Sequence, residues 1–600
     1  MKNLSKYTYL ICVLSILCSA LYFPRWNQRG PEATISWDTA GYYYYLPAIF
    51  IYKDIKQVAF KDKITEKYKP SGSFYQAFLH EPSGNYVMKY SIGQAVMMTP
   101  FFLMGHAYAS VSDSYPADGF SKPYQRAIHW GSLLIAFIGL WFCRKNLLEY
   151  FDDTATAFTL LFLTIGTNYL NYTAFDGAMT HNWLFTVYAL LIWVSMQWHK
   201  QPTWGKSAAI GALVGLAALT RPTDIIALII PIFWGMNIMS WTNIKERFIL
   251  LFKNWYHLIF AILITGAIGS IQIIYWLYVT GEPIVYSYQD QYFEWHIPHL
   301  KDVLISYRSG WLTYSPIMVF SIIGLLNLAW QKMEIFFAIL FFSLLNYYIV
   351  SSWSVWWYGG SFGMRALIQS YPIWVFPFAA FITWMLDKNW RYWVFLPIMF
   401  LFCAVNIFFT RGPIDAEYMN KTYYWHALFN FDVTERDKLL LDTDEGFLGE
   451  RKEVENIFST NVQQEALDST RIYWRNTEKT NAALFTNGAM RNSPTLRVQK
   501  SDIKNGTWLR AGAKFKMPDK EWFYWEMPQF TLRFVKADGA VVKKSFIRCA
   551  RALEQGKWED LWIDAEIPQE DFDYIEMLLE QPHGGKMLLG DDFYIETYNN

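Results

Sequence analysis

Residues 256–279 read YHLIFAILITGAIGSIQIIYWLYV and contain no Asp, Glu, Lys or Arg. Crossing the hydrocarbon core of a bilayer takes about 20 predominantly apolar residues in a helix, so this stretch predicts a membrane span. Similar apolar stretches occur before and after it. Together they predict eleven spans, at 7–23, 124–142, 154–172, 181–198, 207–220, 224–240, 256–279, 311–330, 334–350, 366–386 and 392–410. We therefore expect residues 1–410 to form an all-α membrane region.

The overall composition agrees with that expectation and excludes one class of partner. Hydrophobic residues make up 53% of the chain and charged residues only 17%, a low share for a soluble protein. The formal net charge is zero, which argues against binding to nucleic acid. The five cysteines form no CxxC motif and no Cys/His metal spacing.

Basic residues predict the orientation of the bundle. They cluster at alternate ends of the predicted spans, at Lys2, Lys6, Arg144, Lys145, Lys200, Lys206, Lys245, Arg247, Lys332, Lys388 and Arg391. Positive charge favours the cytoplasmic side, so an odd number of spans places residues 411–600 outside, in the periplasm or its equivalent. The pattern around 7–23 is typical of either a cleaved signal peptide or a first span, and the many later spans favour the span.

Two apolar segments need separate treatment. The segment 90–109 is nearly long enough to span, but a span there would move several basic clusters to the outside. We therefore expect it to be a helix in the outer interface, within an outer loop 24–123. The stretch 207–240 would be about 51 Å long as one helix. Two short spans that meet at Arg221-Pro222 are expected instead, because proline ends a helix.

The composition changes after residue 410. Residues 411–469 predict an irregular or partly helical linker, and residues 470–600 predict a soluble β-sandwich. Asp538-Gly539 is typical of a hairpin turn. The strands expected in this part are Leu532–Val535, Val541–Ile547, Trp558–Ile567, Asp573–Leu579 and Asp592–Tyr598. Its tryptophans either fill the core or bind a glycan; they are Trp508, Trp522, Trp525, Trp558 and Trp562.

Acidic residues lie close to the predicted outer surface. Asp38 follows the first span in the sequence SWDTAG, and Asp176 and His181 flank another outer turn. Such residues commonly cap helix ends. A carboxylate at the water–lipid boundary is also suited to act as a general base, and an Asp with a His is suited to bind a polar ligand. The sequence leaves both interpretations open.

Cations beside spans on the outer side run against the positive-inside bias. They are Lys89, Arg221, Arg308 and Arg365. Arg221 would by itself be explained by snorkelling to the interface. Ammonium and guanidinium groups at such positions are equally suited to hold a phosphate.

Two aromatic loops complete the candidate site. The first contains Tyr288 and Asp290, and the second runs from Trp353 through Trp357 and Gly359-Gly360 to Arg365. An interfacial aromatic belt would account for the rings alone. It would not account for the glycines, which permit close approach of the backbone to a phosphate or a sugar.

At these residues the chain resembles the polytopic glycosyltransferases of the C superfamily, whose familiar members include protein O-mannosyltransferases and lipid A aminoarabinose transferases. The resemblance covers about residues 1–410. It rests on Asp38 after the first span, Lys89 before the 90–109 segment, the Arg221-Pro222 turn, and the loop from Trp356 to Arg365. Their order along the chain and their shared outer face make the resemblance.

The resemblance implies a reaction and a set of roles. A sugar would pass from a polyprenyl-phosphate donor to a hydroxyl of a glycan, lipid or protein acceptor on the periplasmic face, with inversion. Asp38 would be the catalytic carboxylate, and Lys89 and Arg365 would help to hold the donor phosphate. Many relatives carry a second acidic residue directly after the first, whereas Thr39 stands there in this chain. If the reaction needs a second carboxylate, Asp176 and Asp290 are the candidates, and the resemblance leaves the involvement of a divalent metal open.

The end of the chain, GDDFYIE at 590–596, resembles the last strand of carbohydrate-binding jelly rolls. A membrane transporter or flippase with an outer sugar-binding domain is the alternative function. It predicts polar residues distributed through the spans to both sides of the membrane. The notable polar residues instead cluster on the predicted outer face, which favours chemistry at that surface.

Overall fold

Helices supply almost all regular structure up to Glu417, and strands supply most of it after that residue. The computed structural model describes residues 3–72, 74–415, 417–443, 445–447, 449–460, 483–484, 496–503, 506–517, 527–580 and 588–600. The chain divides into two units, Met1–Glu417 and Tyr418–Asn600.

The first unit contains nineteen described helices and one β-hairpin. The helices are α1 (Leu4–Tyr22), α2 (Trp37–Tyr43), α3 (Tyr45–Phe50), α4 (Lys61–Tyr68), α5 (Gly93–Ser110), α6 (Lys122–Leu148), α7 (Asp153–Gly166), α8 (Tyr169–Ala174), α9 (Thr180–Lys200), α10 (Trp204–Thr220), α11 (Ile229–Phe233), α12 (Trp241–Lys253), α13 (Trp255–Thr280), α14 (Leu300–Ile305), α15 (Trp311–Tyr314), α16 (Val319–Gln331), α17 (Met333–Ser351), α18 (Tyr371–Leu386) and α19 (Asn389–Phe409). The hairpin consists of β1 (Ala77–His80) and β2 (Asn85–Met88).

Six helical segments in the described part of the chain are long and apolar enough to cross a membrane. They are Leu4–Asn27, Lys122–Leu148, Trp255–Thr280, Met333–Ser351, Arg365–Leu386 and Asn389–Phe409. Four shorter apolar segments are Asp153–Gly166, Trp204–Thr220, Pro222–Phe233 and Pro316–Gln331. The mostly helical membrane-type region is thereby confirmed in outline, while the count of eleven spans stays a prediction.

Not every predicted span is one continuous helix. The stretch 154–172 is broken between α7 and α8, and 311–330 consists of α15, a short 3-10 turn and α16. The predicted break in 207–240 is confirmed. Helix α10 ends at Thr220, Arg221 is extended, and Pro222 starts a 3-10 segment that leads into α11. The α region is disfavoured for the residue before a proline, which explains why the helix stops there.

Helix α5 lies within the segment expected to occupy the outer interface. Gly93 at its start packs against the backbone of Thr220, and Gly105 packs against Pro123 and Tyr124. Both helix ends that α5 meets, the end of α10 and the start of α6, face outward in the predicted orientation. The helix is confirmed, and its position in the interface stays a prediction.

The second unit contains two antiparallel sheets that share one apolar core. Its elements are helix α20 (Lys421–Ala427) and strands β3 (Lys452–Thr460), β4 (Ala483–Leu484), β5 (Leu496–Gln499), β6 (Trp508–Lys516), β7 (Gln529–Val535), β8 (Val541–Arg548), β9 (Trp558–Glu566), β10 (Tyr574–Glu580) and β11 (Leu589–Asn599). The strand orders are β5-β10-β7-β8 and β3-β11-β6-β9, and β4 pairs with β11. Phe515 of one sheet contacts Phe530 of the other, with ring centroids 5.2 Å apart. The strand-rich C-terminal region is therefore confirmed, and the jelly-roll assignment stays a prediction.

Most of the strands predicted from the sequence of the C-terminal region are present in the structure. Strands β7 and β8 form the predicted hairpin, with Gly539 at φ +88° in its turn. Strand β3 differs from the expectation. It lies in the segment 411–469, which was expected to be an irregular or partly helical linker, and it pairs with β11. Its many charged residues obscure the alternation of apolar and polar residues by which a strand is predicted from sequence. Trp508, Trp558 and Trp562 are not fully buried, so they do not fill the core, whereas Trp522 and Trp525 lie outside the described residues.

Candidate functional site

Asp38 lies in the first turn of α2 and binds three side chains from distant parts of the chain. Its Oδ2 accepts a hydrogen bond from Nη2 of Arg365 at 2.7 Å. Its Oδ1 accepts from the hydroxyls of Tyr90 at 2.6 Å and Tyr75 at 3.1 Å. The residue before the helix is Ser36, and its side chain makes no capping bond. The carboxylate is therefore committed to tertiary contacts and not to a helix cap.

The surroundings of Asp38 keep its carboxylate ionised. Burial by itself raises the pKa of Asp38, because a low-dielectric site disfavours the charged form. The charge of Arg365, the hydroxyl of Tyr90 and the charge of Lys89 act in the opposite direction, with help from Tyr75, and the net pKa is lowered. Asp38 is thus a charged acceptor at neutral pH, with 18% of its side chain exposed.

The loop before Arg365 depends on residues in the left-handed region. Tyr358, Gly359 and Gly363 have φ of +57°, +62° and +61°. A Cβ on Gly363 would lie 3.0 Å from a carbon of Tyr314, so a side chain there would be both strained and crowded. The N–H of Arg365 donates to the carbonyl of Gly363 at 2.9 Å, which closes the turn that aims the guanidinium at Asp38.

Lys89 is held among aromatic rings directly after β2. Its Nζ lies 5.4 Å from the ring centroid of Tyr75, 5.8 Å from that of Tyr90 and 5.9 Å from that of Tyr288. The hydroxyl of Ser287 donates to the Lys89 carbonyl at 2.7 Å, which joins the two outer loops. Within the part of the chain that the structure describes, no carboxylate lies within 4.0 Å of this ammonium. Ring faces attract the cation but do not neutralise it.

Arg221 and His181 meet through a glutamine that the sequence patterns do not single out. With the Gln369 amide turned to satisfy its neighbours, its oxygen accepts from Arg221 at 3.1 Å and its nitrogen donates to Nδ1 of His181 at 2.9 Å. The guanidinium of Arg221 also lies 5.9 Å from the ring centroid of Tyr358. Asp224, at the next turn, supplies a nearby negative charge and accepts from Tyr188.

The two acids expected to supply a second carboxylate lie elsewhere. Asp176 pairs with Arg25 and accepts from the amide of Asn171 at 2.9 Å, so it ties two outer segments together. Asp290 is exposed. Neither contacts Asp38 among the described interactions.

Arg308 and Trp357 form a separate arm next to the Gly-Gly turn. The guanidinium of Arg308 stacks on the ring of Trp357 at 3.8 Å and pairs with Glu417 at 3.2 Å. A Cβ on Gly359 would lie 3.6 Å from the Glu417 carboxylate and 4.0 Å from a nitrogen of Arg365. Glu417 is therefore an additional acid close to the guanidinium of Arg365. No sequence motif marks it, because it lies more than fifty residues after the loop that it contacts.

Asp38 has no cluster of metal-ligating side chains around it among the described residues. No group of three or more His, Cys, Asp and Glu side chains in the described ranges is arranged to hold one. The carboxylate oxygens of Asp38 bind a guanidinium and two hydroxyls.

Comparison with known proteins does not identify a family. No family model matches the chain, and no curated protein matches it. One similar solved structure is the cryo-EM structure of the arabinosyltransferase EmbB from Mycobacterium smegmatis, with a TM-score of 0.34 and 10% sequence identity. The alignment covers 98% of this chain and 64% of that chain, so this chain spans less than two thirds of its length. At this level of similarity, function has to be argued from the site itself.

Proposed function

We propose that the protein transfers a sugar from a polyprenyl-phosphate donor to an acceptor hydroxyl on the periplasmic face of the inner membrane. The observation that carries the proposal is the ionised carboxylate of Asp38 beside Arg365 and Lys89. A base and cations that converge at one end of an apolar helical region match the needs of a lipid-linked anionic donor. The sequence resemblance to C-superfamily glycosyltransferases supports the same reaction.

Asp38 is the proposed general base. It takes the proton of the acceptor hydroxyl while that oxygen attacks the anomeric carbon of the donor sugar. The bond between the anomeric carbon and the phosphate oxygen breaks, and its electron pair leaves with the polyprenyl phosphate. Attack from the face opposite the phosphate inverts the anomeric configuration. A phosphate leaves without a strong general acid, unlike the leaving group in glycoside hydrolysis, where a pair of carboxylates is used.

The cations have different proposed roles because they have different partners. Arg365 binds Asp38 directly, so it holds the base charged and correctly oriented. Lys89 is the proposed main ligand of the donor phosphate, since its ammonium lies among aromatic rings and, in the described residues, acts on the charge of Asp38 without forming an ion pair with it. Arg221 is the second proposed phosphate ligand. Charge on the phosphate grows as the bond breaks, and preplaced cations stabilise that change.

The aromatic loops and the C-terminal unit are proposed to handle the sugars. Tyr288 and Trp357 lie on the two loops that border the cations, where their rings are suited to stack on a sugar. The acceptor is proposed to be a glycan, lipid or protein. The β-rich unit is proposed to lie in the periplasm, because the basic residues at the ends of the predicted spans favour that orientation. It is proposed to bind glycan because the end of the chain resembles carbohydrate-binding jelly rolls.

The test begins with the lipid that co-purifies with the protein. Mass spectrometry of gently extracted protein should detect a polyprenyl-phosphate sugar, and incubation with acceptor-containing membranes should convert it to free polyprenyl phosphate. The Asp38→Asn variant should retain the donor without converting it. A flippase would move the donor between leaflets and leave it intact. Consumption of the donor at equal rates by both proteins would refute Asp38 as the base.

A further inference from the structure

Helix α12 stands apart from the rest of the helical unit because none of its residues is fully buried. It begins where the side chain of Ser240 accepts from the N–H of Asn243 at 3.3 Å. It ends at Asn254, directly before α13. Its stability therefore does not come from burial within the described bundle, and one of its faces is left for another partner.

That face carries large apolar side chains. Trp241, Phe248 and Phe252 are separated by seven and four residues, which places them on one side of a helix. Their exposed fractions are 78%, 48% and 73%. Ile249, 54% exposed, widens the stripe. Exposing so much apolar surface to water is unfavourable in free energy, so the stripe favours a nonpolar environment.

Two cations accompany the stripe: Lys245, four residues after Trp241, lies within it, and Lys253, four residues after Ile249, borders it. Lys245 and Lys253 are both exposed, and Glu246 is the only acid on the helix. Arg247 instead turns toward the bundle, where a Cβ on Gly235 would lie 2.7 Å from its guanidinium. An apolar stripe with exposed lysines in it and at its edge is typical of a helix that lies in a membrane interface, because a lysine side chain can extend its ammonium from the apolar level to the headgroups.

The helix lies at the far end of the bundle from the candidate site. Helix α13 starts next to α12, and its other end leads to the loop that carries Tyr288, so its 26 residues separate the two by about 39 Å. Trp204 at the start of α10 packs on Tyr256 at 5.4 Å, so two helices begin at this level. Trp255 is 58% exposed beside them. Exposed tryptophan at helix ends is typical of the boundary between acyl chains and headgroups.

We propose that α12 lies in the plane of the membrane at the end opposite the Asp38 site and binds anionic phospholipids there. The apolar stripe enters the acyl chains, and Lys245 and Lys253 contact headgroup phosphates. The distribution of basic residues assigns this end to the cytoplasmic leaflet. Lipid is favoured over a protein partner because α13, which follows α12 directly, also exposes large apolar side chains such as Ile262 and Leu263, at 62% and 64%. The inference does not depend on the transferase activity.

The first experiment measures depth. A full-length variant without the native cysteines carries one new cysteine, Phe252→Cys or, as the matched control on the polar side, Glu246→Cys. Each is labelled with a small environment-sensitive fluorophore and placed in nanodiscs that contain phosphatidylglycerol. Spin labels on lipid acyl chains should quench position 252 and iodide should quench position 246. Equal quenching of both positions by iodide would refute insertion, as would protection of position 252 from both quenchers, which a protein partner or second copy would cause.

The second experiment tests the charges and needs no cysteine removal. The double variant Lys245→Gln/Lys253→Gln is titrated with phosphatidylglycerol in detergent and followed by native mass spectrometry. Apparent affinity should fall about five-fold for each lysine removed. The control Lys53→Gln/Lys63→Gln removes two exposed lysines from the other end of the unit and should leave affinity unchanged. Unchanged affinity in the first variant, or an equal loss in both, would overturn the proposed role of these lysines.

Discussion

Replacing Asp38 by asparagine separates the chemical role of its charge from its structural role. Asparagine keeps the size of the side chain and can still accept from Tyr90 and Tyr75, but it cannot take a proton from an acceptor. A positioned general base contributes about 100-fold or more to the rate. Turnover should therefore fall by at least that factor, or about 2.7 kcal/mol of transition-state stabilisation. The donor should still bind, since Lys89 and Arg221 are unchanged.

The same substitution has a structural cost that must be measured independently. Arg365 loses the carboxylate that lies 2.7 Å from its guanidinium. Both side chains are largely buried, with 18% of Asp38 and 16% of Arg365 exposed. Removing one partner of a buried ion pair costs up to about 3–5 kcal/mol. A lower melting temperature is thus expected for Asp38→Asn, and lost activity alone would not identify the base.

The double variant Asp38→Asn/Arg365→Gln resolves this ambiguity. It removes both charges and so leaves no buried charge without its partner, and part of the lost stability should return. Turnover should stay low, because the base is still absent. The assay compares release of free polyprenyl phosphate, donor retention and melting temperature for wild type, both single variants and the double variant. More than about a tenth of wild-type turnover in Asp38→Asn, or recovery of turnover in the double variant, would refute the general-base assignment.

Three further outcomes are expected. Tyr90→Phe removes a hydroxyl that lowers the pKa of Asp38. The acid limb of the pH–rate profile lies below the ordinary aspartate range in the wild type and should move to higher pH in this variant. An acid limb at the same pH in both proteins would contradict the role of this hydrogen bond. Lys89→Gln should weaken donor binding by about 1.5–3 kcal/mol in a direct binding titration, and an unchanged Kd would exclude this phosphate ligand. A fragment of residues 418–600 should melt cooperatively with β-type circular dichroism, whereas 470–600 should not, because it lacks β3 and the buried acid that pairs with the end of β8. Equal melting of the two fragments would show that these parts are dispensable.

Hydrophobic runs predict helices well and helix ends poorly. The run 256–279 became a single helix because a lipid-facing helix can be apolar on every side. The run 154–172 is similarly apolar, yet it breaks at Asn168, which accepts from the hydroxyl of Tyr371 at 2.7 Å and donates to the carbonyl of Phe362 at 3.1 Å. Both partners lie about two hundred positions away in sequence. Composition cannot show a bend that is made for distant partners.

The site was predictable as a set of unusual residues but not as a set of pairs. Asp38 and Arg365 stand out in the sequence, yet 327 positions separate them. Asp176 pairs with Arg25, which lies 151 positions away and which no local pattern connects with it. Glu417 was missed because it belongs to no motif and reaches the site only through the fold. Unusual single residues therefore indicate in the sequence which positions are candidates for the site. Which of these residues pair with one another is apparent only from the tertiary contacts.

The four outer cations look equivalent in sequence, but their contacts show how far the charge of each is already balanced. Arg365 and Arg308 each pair with a carboxylate, so neither needs a ligand to balance its charge. Arg221 is bound by an amide and lies near an acid. Lys89 has ring faces around its ammonium and, in the part of the chain that is described, forms no direct ion pair, although its charge acts on Asp38. A partly buried cation without a direct ion-pair partner is costly, and an arriving anion lowers that cost. An anionic donor would thus gain most from Lys89, while Arg365 remains free to hold the base.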